Sequence, residues 1–600
     1  MDRYALNTLA DIEALEAQPY AHFMPHGSVF AALEEAAAEH AHRTALTFIE
    51  DGDLATPASH WRYDEFIAQV RRAANLFHRL GGGAPRVALL LPAIPQAYFA
   101  LFGAETAGIV CPINYLLDDR HIADLLNTAQ ANILVALGPR GDFAIAEKVA
   151  ALRPACPGLR HVLFVGGTAD DSFDAALARQ PGDRLHFERS VDGDTTAALF
   201  HTGGTTGKPK LARHLHRNQL HSAWASARLY ALDEHDRVLN GLPIFHVAGS
   251  LLYGLGMLMS GGTVVLPTRL GLRNPAFMRQ YWAFAARERL TVLTATPTGI
   301  ATILTQPTDG HDLSALRLLV TGGAPLPPEL ARAFEARLQV PVRNTLGMSE
   351  CAGALAIEPA LAPREVISCG LRLPFVEVRF DDGVLCLRGP NVSPGYTDAS
   401  RNPGTFEADG WLVSGDIGHL DAHGRVHVTG RAKDVIIRNS HNIDPLLIED
   451  ALMAHPGVSM AAAVGAPDAY AGEVPAAYVV ATPGTALDLE ALREHLRHTI
   501  HEPPAMPRRL ELIDALPLTP VGKVFKPTLR AQAAQAVLRE QLDGHEWGRT
   551  VDVRGDVTDQ GIELVFSLPQ DDVVLHERIR LLMRPYAQAF RVETGRRTVH

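Results

Sequence analysis

The densest chemistry in the chain lies in Phe200-His-Thr-Gly-Gly-Thr-Thr-Gly-Lys-Pro-Lys210. Glycines let successive backbone N–H groups turn inward and form an anion nest. Here Gly203, Gly204 and Gly207 are interleaved with Thr202, Thr205 and Thr206, whose hydroxyls are further donors, and Lys208 and Lys210 add positive charge. That set suits phosphate. It is not a Walker A loop, which reads G-x-x-x-x-G-K and then Ser or Thr. Only three residues separate Gly203 from Gly207, and Pro209 follows the lysine. The loop reads as a turn between a strand and a helix.

Composition narrows the partners. Lys and Arg number 55 against 67 Asp and Glu, a formal charge of −12. A nucleic-acid surface would need a basic face, so none is expected. The five cysteines, Cys111, Cys156, Cys351, Cys369 and Cys386, form no CxxC pair. Neither a cysteine zinc site nor a disulfide framework is indicated, and a reducing, cytoplasmic setting is expected. The start of the chain, MDRYALNTLADIEALEAQ, lacks the basic segment and apolar run of a secretory signal.

The elements that must position the loop read as α/β. Strand-like runs at 86–91, 108–113, 132–137 and 161–165 alternate with helical runs at 95–107 and 119–129. Pro95 suits a helix start, where its missing N–H costs nothing. Such alternation implies parallel sheets covered by helices on both faces. The pattern resumes with strands at 196–200, 238–242, 263–266, 291–296 and 316–320 and a helix over 217–232. Val247 to Val265 is apolar enough to suggest a membrane span, but glycines and serines interrupt it, and it reads as a buried helix followed by a strand. From about residue 365 short β-rich runs appear, including 384–388 and 425–429. The chain thus divides into three parts: a large region over 1–430, a small α+β unit over 431–530, and an extension over 531–600. The extension opens with a helical run, then shows a hairpin near 558–561 and an amphipathic stretch over 573–590.

The loop resembles the phosphate signature of the adenylate-forming superfamily, [Y/F]-T-S-G-T-T-G-x-P-K, found in acyl-CoA synthetases, firefly luciferase and peptide-synthetase adenylation domains. Gly203 stands where serine is common. Further segments come in the family's order from about residue 27 to 530. Gly241-Leu-Pro-Ile-Phe-His-Val-Ala-Gly249 resembles the segment that sets an aromatic or histidine beside the acyl carboxylate, which implies that role for His246. Thr321-Gly-Gly-Ala-Pro-Leu326 resembles the adenine- and acyl-contacting turn, implicating Gly322, Gly323 and Ala324. Asn344-Thr-Leu-Gly-Met-Ser-Glu350 resembles [Y/L]-G-x-[T/S]-E. It implies Glu350 as a ligand of Mg²⁺, a hard cation that favours carboxylate, water and phosphate oxygens, with Ser349 at the phosphate and Leu346 against adenine. The family's usual aromatic at 346 is missing, so stacking is lost.

Gly410-Trp-Leu-Val-Ser-Gly-Asp416 resembles G-W-[F/L]-x-[T/S]-G-D and implies Asp416 as acceptor of both ribose hydroxyls. Gly430-Arg-Ala-Lys-Asp434 resembles the hinge segment, with Arg431 on the ribose and Lys433 at the pivot. Leu516-Pro-Leu-Thr-Pro-Val-Gly-Lys523 resembles the closing P-x-T-x-x-G-K, which implies Lys523 as the adenylation lysine. Where acyl-CoA synthetases carry a glycine pair beside the thiol's approach, this chain has Asn439-Ser440, followed by His441. Gly383-Val-Leu likewise lacks the family's Glu after Gly.

The resemblance implies an ATP-dependent acyl-CoA synthetase of the acid–thiol ligase class. A carboxylic acid, fatty or otherwise apolar, would be activated as its acyl-adenylate and passed to coenzyme A with release of AMP and pyrophosphate. Serine at 440 keeps open an adenylating ligase with another acceptor. A non-catalytic nucleotide or acyl-adenylate sensor is the alternative of another class; Lys523, Glu350, Asp416 and Arg431 together speak against it. A metal role for His214, His216 and His221 competes with their being surface histidines of a helix. Oligomeric state is open, a homodimer being compatible. Replacing Lys523→Ala is expected to abolish ATP–pyrophosphate exchange while sparing thioester formation from supplied acyl-adenylate; undiminished exchange would remove the lysine from the chemistry.

Overall fold

The computed structural model describes residues 6–594 except 169–170, 203–209, 309, 325, 365–366, 432–433, 439–440, 501, 520–521, 559–560, 584 and 587, with backbone alone at 329, 429–431, 441 and 442. The chain divides into two compact units. The first holds 1–203, 209–414 and 418–428; the second holds 429–600 with 204–208 and 415–417.

Two large sheets build the first unit. One runs in the order His161–Val165, Ile133–Leu137, Arg86–Leu90, Ile109–Pro112, Thr196–His201, Leu211–Leu215. Its strands are parallel until the last pair, which is antiparallel. The other has nine strands, with Val342–Leu346, Leu318–Gly322, Val292–Thr294, Arg237–Leu239, Thr263–Pro267 and Thr44–Ile49 as its parallel centre. Strands such as Ile133–Leu137 and Arg86–Leu90 are runs of Val, Ile, Leu and Ala because helices cover both faces, while Val342–Leu346 carries the buried polar residues Arg343, Asn344 and Thr345. The helix Pro95–Ala107 is buried on every side. In open sheets of this kind, ligands bind outside the carboxyl ends of the strands.

Three expectations are corrected. The phosphate loop does not lead from a strand into a helix: the element after it is the strand Leu211–Leu215, which pairs antiparallel with Thr196–His201, and the helix begins only at His216. The run Leu-Ala-Arg-His-Leu hides its strand character because Arg213 and His214 interrupt its apolar residues. Nor are His214, His216 and His221 surface residues; they are 0, 1 and 0% exposed. The described residues contain no cluster of three or more His, Cys, Asp or Glu fit for a metal. Third, the amphipathic stretch over 573–590 breaks: the helix ends at Met583 and a strand starts at Ala589. Pro585, lacking an N–H, lies between them.

The apolar stretch after Val247 is a π-helix over Ala248–Leu255, a helical turn over Gly256–Met259, and the central strand Thr263–Pro267. Among the described residues no helix is long and apolar enough to cross a membrane. π-Helices are rare, because the widened turn loosens backbone bonding. Here the Gly249 carbonyl accepts from both Tyr98 Oη (2.9 Å) and Asn240 Nδ2 (2.7 Å), which pins the turn from outside.

In the second unit, the edge strand Val458–Asp468 pairs antiparallel with Gly472–Ala481, the central strand of a five-stranded sheet. Alternate residues serve two cores. Ala461 and Ala463 pack with Ile448, Leu452, Leu492 and Leu496 of the helices Pro445–Met453 and Leu489–Thr499. Ala462, Val464 and Ala466 pack on the opposite face with Leu529 and Ala533 of the helix Lys526–Asp543. That helix spans the expected boundary at 530. Its other face, through Ala534, Leu538 and Leu542, covers the three-stranded sheet of Asp552–Thr558, Gly561–Leu568 and Ala589–Thr594. Truncating the fully buried Leu538→Ala should destabilise this unit by about 2–5 kcal/mol, the usual range for a large-to-small core change. Denaturant unfolding followed through Trp547, which packs against that core, checks it.

Candidate active site

At the carboxyl end of the strand Val342–Leu346, the chain turns sharply through a 3₁₀ turn, Ser349–Cys351. Gly347 is required there, since a side chain would start 1.6 Å from the Gly353 carbonyl oxygen. The turn closes with Gly353 N–H donating to Met348 O (3.1 Å) and Leu355 N–H to Leu346 O (2.9 Å). Ala352 takes a left-handed φ of 53° to complete it. The result sets Glu350 inside the protein at 7% exposure.

A buried carboxylate needs donors. Tyr396 Oη donates to Glu350 Oε1 at 2.7 Å. Burial, and then the adjacent Glu350 charge, push the Tyr396 phenol well above its ordinary pKa, so it stays a donor. Ser393 N–H holds the Glu350 carbonyl at 2.9 Å. Both partners come from one segment, 393–397, that zips onto the strand leaving the phosphate loop. Arg213 N–H donates to Gly395 O (3.0 Å) and Thr397 N–H to Leu211 O (2.9 Å), with Ala212 and Tyr396 paired antiparallel. From the loop itself, Lys210 sets its ammonium 4.9 Å from the centre of the Tyr396 ring, a cation–π distance. Thr202 N–H donates to Lys210 O at 3.0 Å.

The structure thus brings together Thr202, Lys210, Ser349 and Glu350. Leu346 is half-buried at its strand end. One strand over, Gly322 ends Leu318–Gly322 in register with Thr345, and a side chain on it would start 2.6 Å from the Thr345 carbonyl. Gly323 and Ala324 continue that turn. His246 follows the next strand but one, half-buried, with its Nδ1 accepting from Ala248 N–H (3.2 Å) at the head of the π-helix.

Other expected residues fall elsewhere or beyond description. Gly203, Gly204, Thr205, Thr206, Gly207, Lys208, Lys433, Asn439 and Ser440 lie outside the described residues. Arg431 ends the strand Val426–Arg431 and His441 begins His441–Ile443, their side chains also outside. Asp416 is buried, 5% exposed, within the strand Leu412–Leu420, and its segment groups with the second unit. Lys523 also belongs to that unit. It closes a tight turn in which its N–H donates to Thr519 Oγ1 (3.0 Å) and its carbonyl accepts from Thr519 N–H (2.6 Å).

Two hydrogen-bond partners of the Glu350 turn have no clear signal in the sequence. Tyr396 follows a glycine in an irregular segment without periodicity; its one signal is an aromatic directly after a turn glycine. His214 has the sequence setting of a helical surface residue. In the fold its Nε2–H donates to the Ser349 carbonyl at 2.6 Å, and its ring stacks on Phe200 at 4.7 Å.

Residues 33–397 match the family model described as AMP-binding enzyme, and residues 447–523 match that described as AMP-binding enzyme C-terminal domain. A marinolic acid–CoA ligase of Pseudoalteromonas sp. (strain SANK 73390) is 36% identical over 578 residues, covering 92% of this chain and 88% of that protein. A sulfoacetate–CoA ligase of Cupriavidus necator is 34% identical over 499 residues, covering 80% of this chain and 91% of that protein. ATP-bound MatB from Rhodopseudomonas palustris superposes with a TM-score of 0.74 at 26% identity, over 84% of this chain and 98% of that one.

The buried imidazoles carry a pH consequence. Burial lowers His214 to about 4 and His216 and His221 to about 3, the last two being furthest from the ordinary value near 6.5. They stay neutral in the fold while the unfolded chain takes up protons below about 6.5, so the unfolded state binds more protons and stability is lost as the pH is lowered. Unfolding free energy should therefore be fully present above pH ~6.5 and drop by up to about 1.4 kcal/mol per pH unit per histidine down to pH ~4. Denaturant titrations at pH 7 and pH 5 measure it, and His221→Phe should flatten the slope by one proton.

Proposed function

The chain belongs to the AMP-binding enzyme family, and on that premise we propose that it is an ATP-dependent acid–CoA ligase working through an acyl-adenylate. The observation that carries the reading is the buried Glu350 carboxylate, fixed by Tyr396 beneath Lys210 of the phosphate loop. Relatives aligned over most of the chain are named as CoA ligases, which supports coenzyme A as acceptor.

In the first half-reaction a substrate carboxylate oxygen attacks the α-phosphorus of ATP. A P–O bond forms, the bond to the bridging oxygen breaks, and pyrophosphate leaves. The protein's part is positioning and charge neutralisation. The loop from Thr202 to Lys210 cradles phosphate, Gly322 to Ala324 and Leu346 flank adenine, and Asp416 and Arg431 hold the ribose. His246 faces the carboxylate, and Lys523 bridges it to the α-phosphate. Glu350 would hold Mg²⁺, which when bound neutralises phosphate charge. A single buried carboxylate suits a hard ion that takes water and phosphate oxygens as further ligands. In the second half-reaction the small unit turns about Lys433, the coenzyme A sulfur attacks the acyl carbon, and AMP leaves. Asn439, Ser440 and His441 line the thiol's approach.

The acids in the relatives' names differ widely from one another, so the pocket lining carries the substrate class. The π-helix Ala248–Leu255 and the segment Pro297–Leu304 offer mainly Ala, Gly, Leu and Ile, which favours an apolar acyl group. Pyrophosphate exchange across a panel of acids should rank apolar chains and rings above short polar acids. Mass spectrometry with coenzyme A present should find the thioester. Exchange without thioester would give the acyl group another acceptor; no exchange with any acid would end the adenylation reading.

A further inference from the structure

The strand Leu211–Leu215 touches the Glu350 turn twice, by two independent routes. One is the zipped segment 393–397, through Tyr396 and Ser393. The other is His214, on the strand itself. Its Nε2–H reaches the Ser349 carbonyl at 2.6 Å, and no part of the side chain is exposed. A carbonyl can only accept, so the ring is held as the tautomer protonated on Nε2. Its Nδ1 has no hydrogen-bond partner among the described residues. An imidazole with one nitrogen left bare in the interior is there for the other nitrogen. Phe200, on the neighbouring strand and stacked at 25° to the ring, fixes the plane in which that N–H points.

The carbonyl it holds belongs to the residue before Glu350, in a turn with few other fastenings on that side. Among the described residues, Ser349 O otherwise accepts only from Ala352 N–H at 3.2 Å, within the turn itself. Without an outside donor the peptide between Ser349 and Glu350 could rotate, and rotating it re-aims the Glu350 side chain. Tyr396 restrains the far end of that side chain, and His214 restrains its root.

We propose that His214 is a positioning residue, which ties the exit strand of the phosphate loop to the backbone of the Glu350 turn and so sets the carboxylate where Mg²⁺ and the nucleotide need it. Groups that orient a metal ligand are worth about 10–100-fold in metal affinity when removed. The inference rests on the assignment of Glu350 in the proposed function. It requires an N–H donor at this place, not an imidazole as such.

Three variants separate the possibilities: His214→Leu, which keeps bulk without a donor; His214→Gln, whose amide N–H can reach the same carbonyl; and Glu350→Gln. Hydrogen exchange is measured on the protein without metal or nucleotide, and magnesium dependence is measured by ATP–pyrophosphate exchange. His214→Leu should speed hydrogen exchange in peptides spanning 346–355 alone and raise the magnesium activation constant about 10-fold, while His214→Gln stays within about 3-fold of the parent. Unchanged behaviour of His214→Leu overturns the proposal. So does equal impairment of His214→Gln, or faster hydrogen exchange throughout the first unit, since either means that the side chain matters only for folding. If Glu350→Gln keeps full magnesium-dependent activity, the assignment of Glu350 fails and the positioning role with it, even where the hydrogen-exchange result shows His214 bracing the turn.

Discussion

A carboxylate taken out of water must be met by donors or give up its charge. Glu350 is in that position, and much of the surrounding architecture stems from meeting the demand. Its turn needs Gly347, because the returning backbone comes too close for a side chain. Its acid group needs Tyr396, and Tyr396 needs the segment 393–397 laid against the strand Leu211–Leu215. That strand in turn exists as one limb of the phosphate hairpin. The surroundings of Glu350 are therefore also the place where a parallel sheet, a hairpin and the segment 393–397 are sewn to each other.

The same logic explains the buried polar helix His216–Leu229. A helix enclosed on all sides can carry histidine, asparagine and glutamine only where partners are close. Val29 N–H donates to His216 Nδ1 at 3.3 Å, Asn218 Nδ2 donates to the Pro390 and Val392 carbonyls, and Tyr20 Oη lies 3.2 Å from His221 Nδ1. These contacts reach into the N-terminal segment and the region just before Ser393. Polar side chains here do the work that apolar ones do in the sheet cores, and they add direction to it.

Legibility in the sequence tracked periodicity. The strands around Arg86–Leu90, Ile133–Leu137 and His161–Val165, and the helix Pro95–Ala107, were readable because their apolar runs are long and bounded by turn formers. The loop from Thr202 to Lys210 stood out by residue type, and the motif resemblance singled out Glu350 and Gly322 as candidates. The features that stayed hidden have a common cause. His214 looks solvent-facing because its partner, Ser349 O, is far along the chain, and no local pattern announces a backbone carbonyl. Tyr396 was missed for the same reason. The π-helix was readable as helix, but its widened turn depends on Tyr98 and Asn240, which no spacing rule connects to Gly249.

The helix Lys526–Asp543 bears on how this protein can be cut. The family match ends at residue 523, three residues before that helix begins. An alignment covering 92% of the chain has to run past that point, so the likeness to the marinolic acid–CoA ligase takes in the residues of this helix. Ala462, Val464, Ala476 and Tyr478 rest their second face on Leu529 and Ala533. Clipping the chain at the end of the family match would therefore leave one side of the small sheet bare and greasy. A protease acting near residue 523 would not release a dispensable tail; it would uncover a sticky face where the intact chain has a closed core.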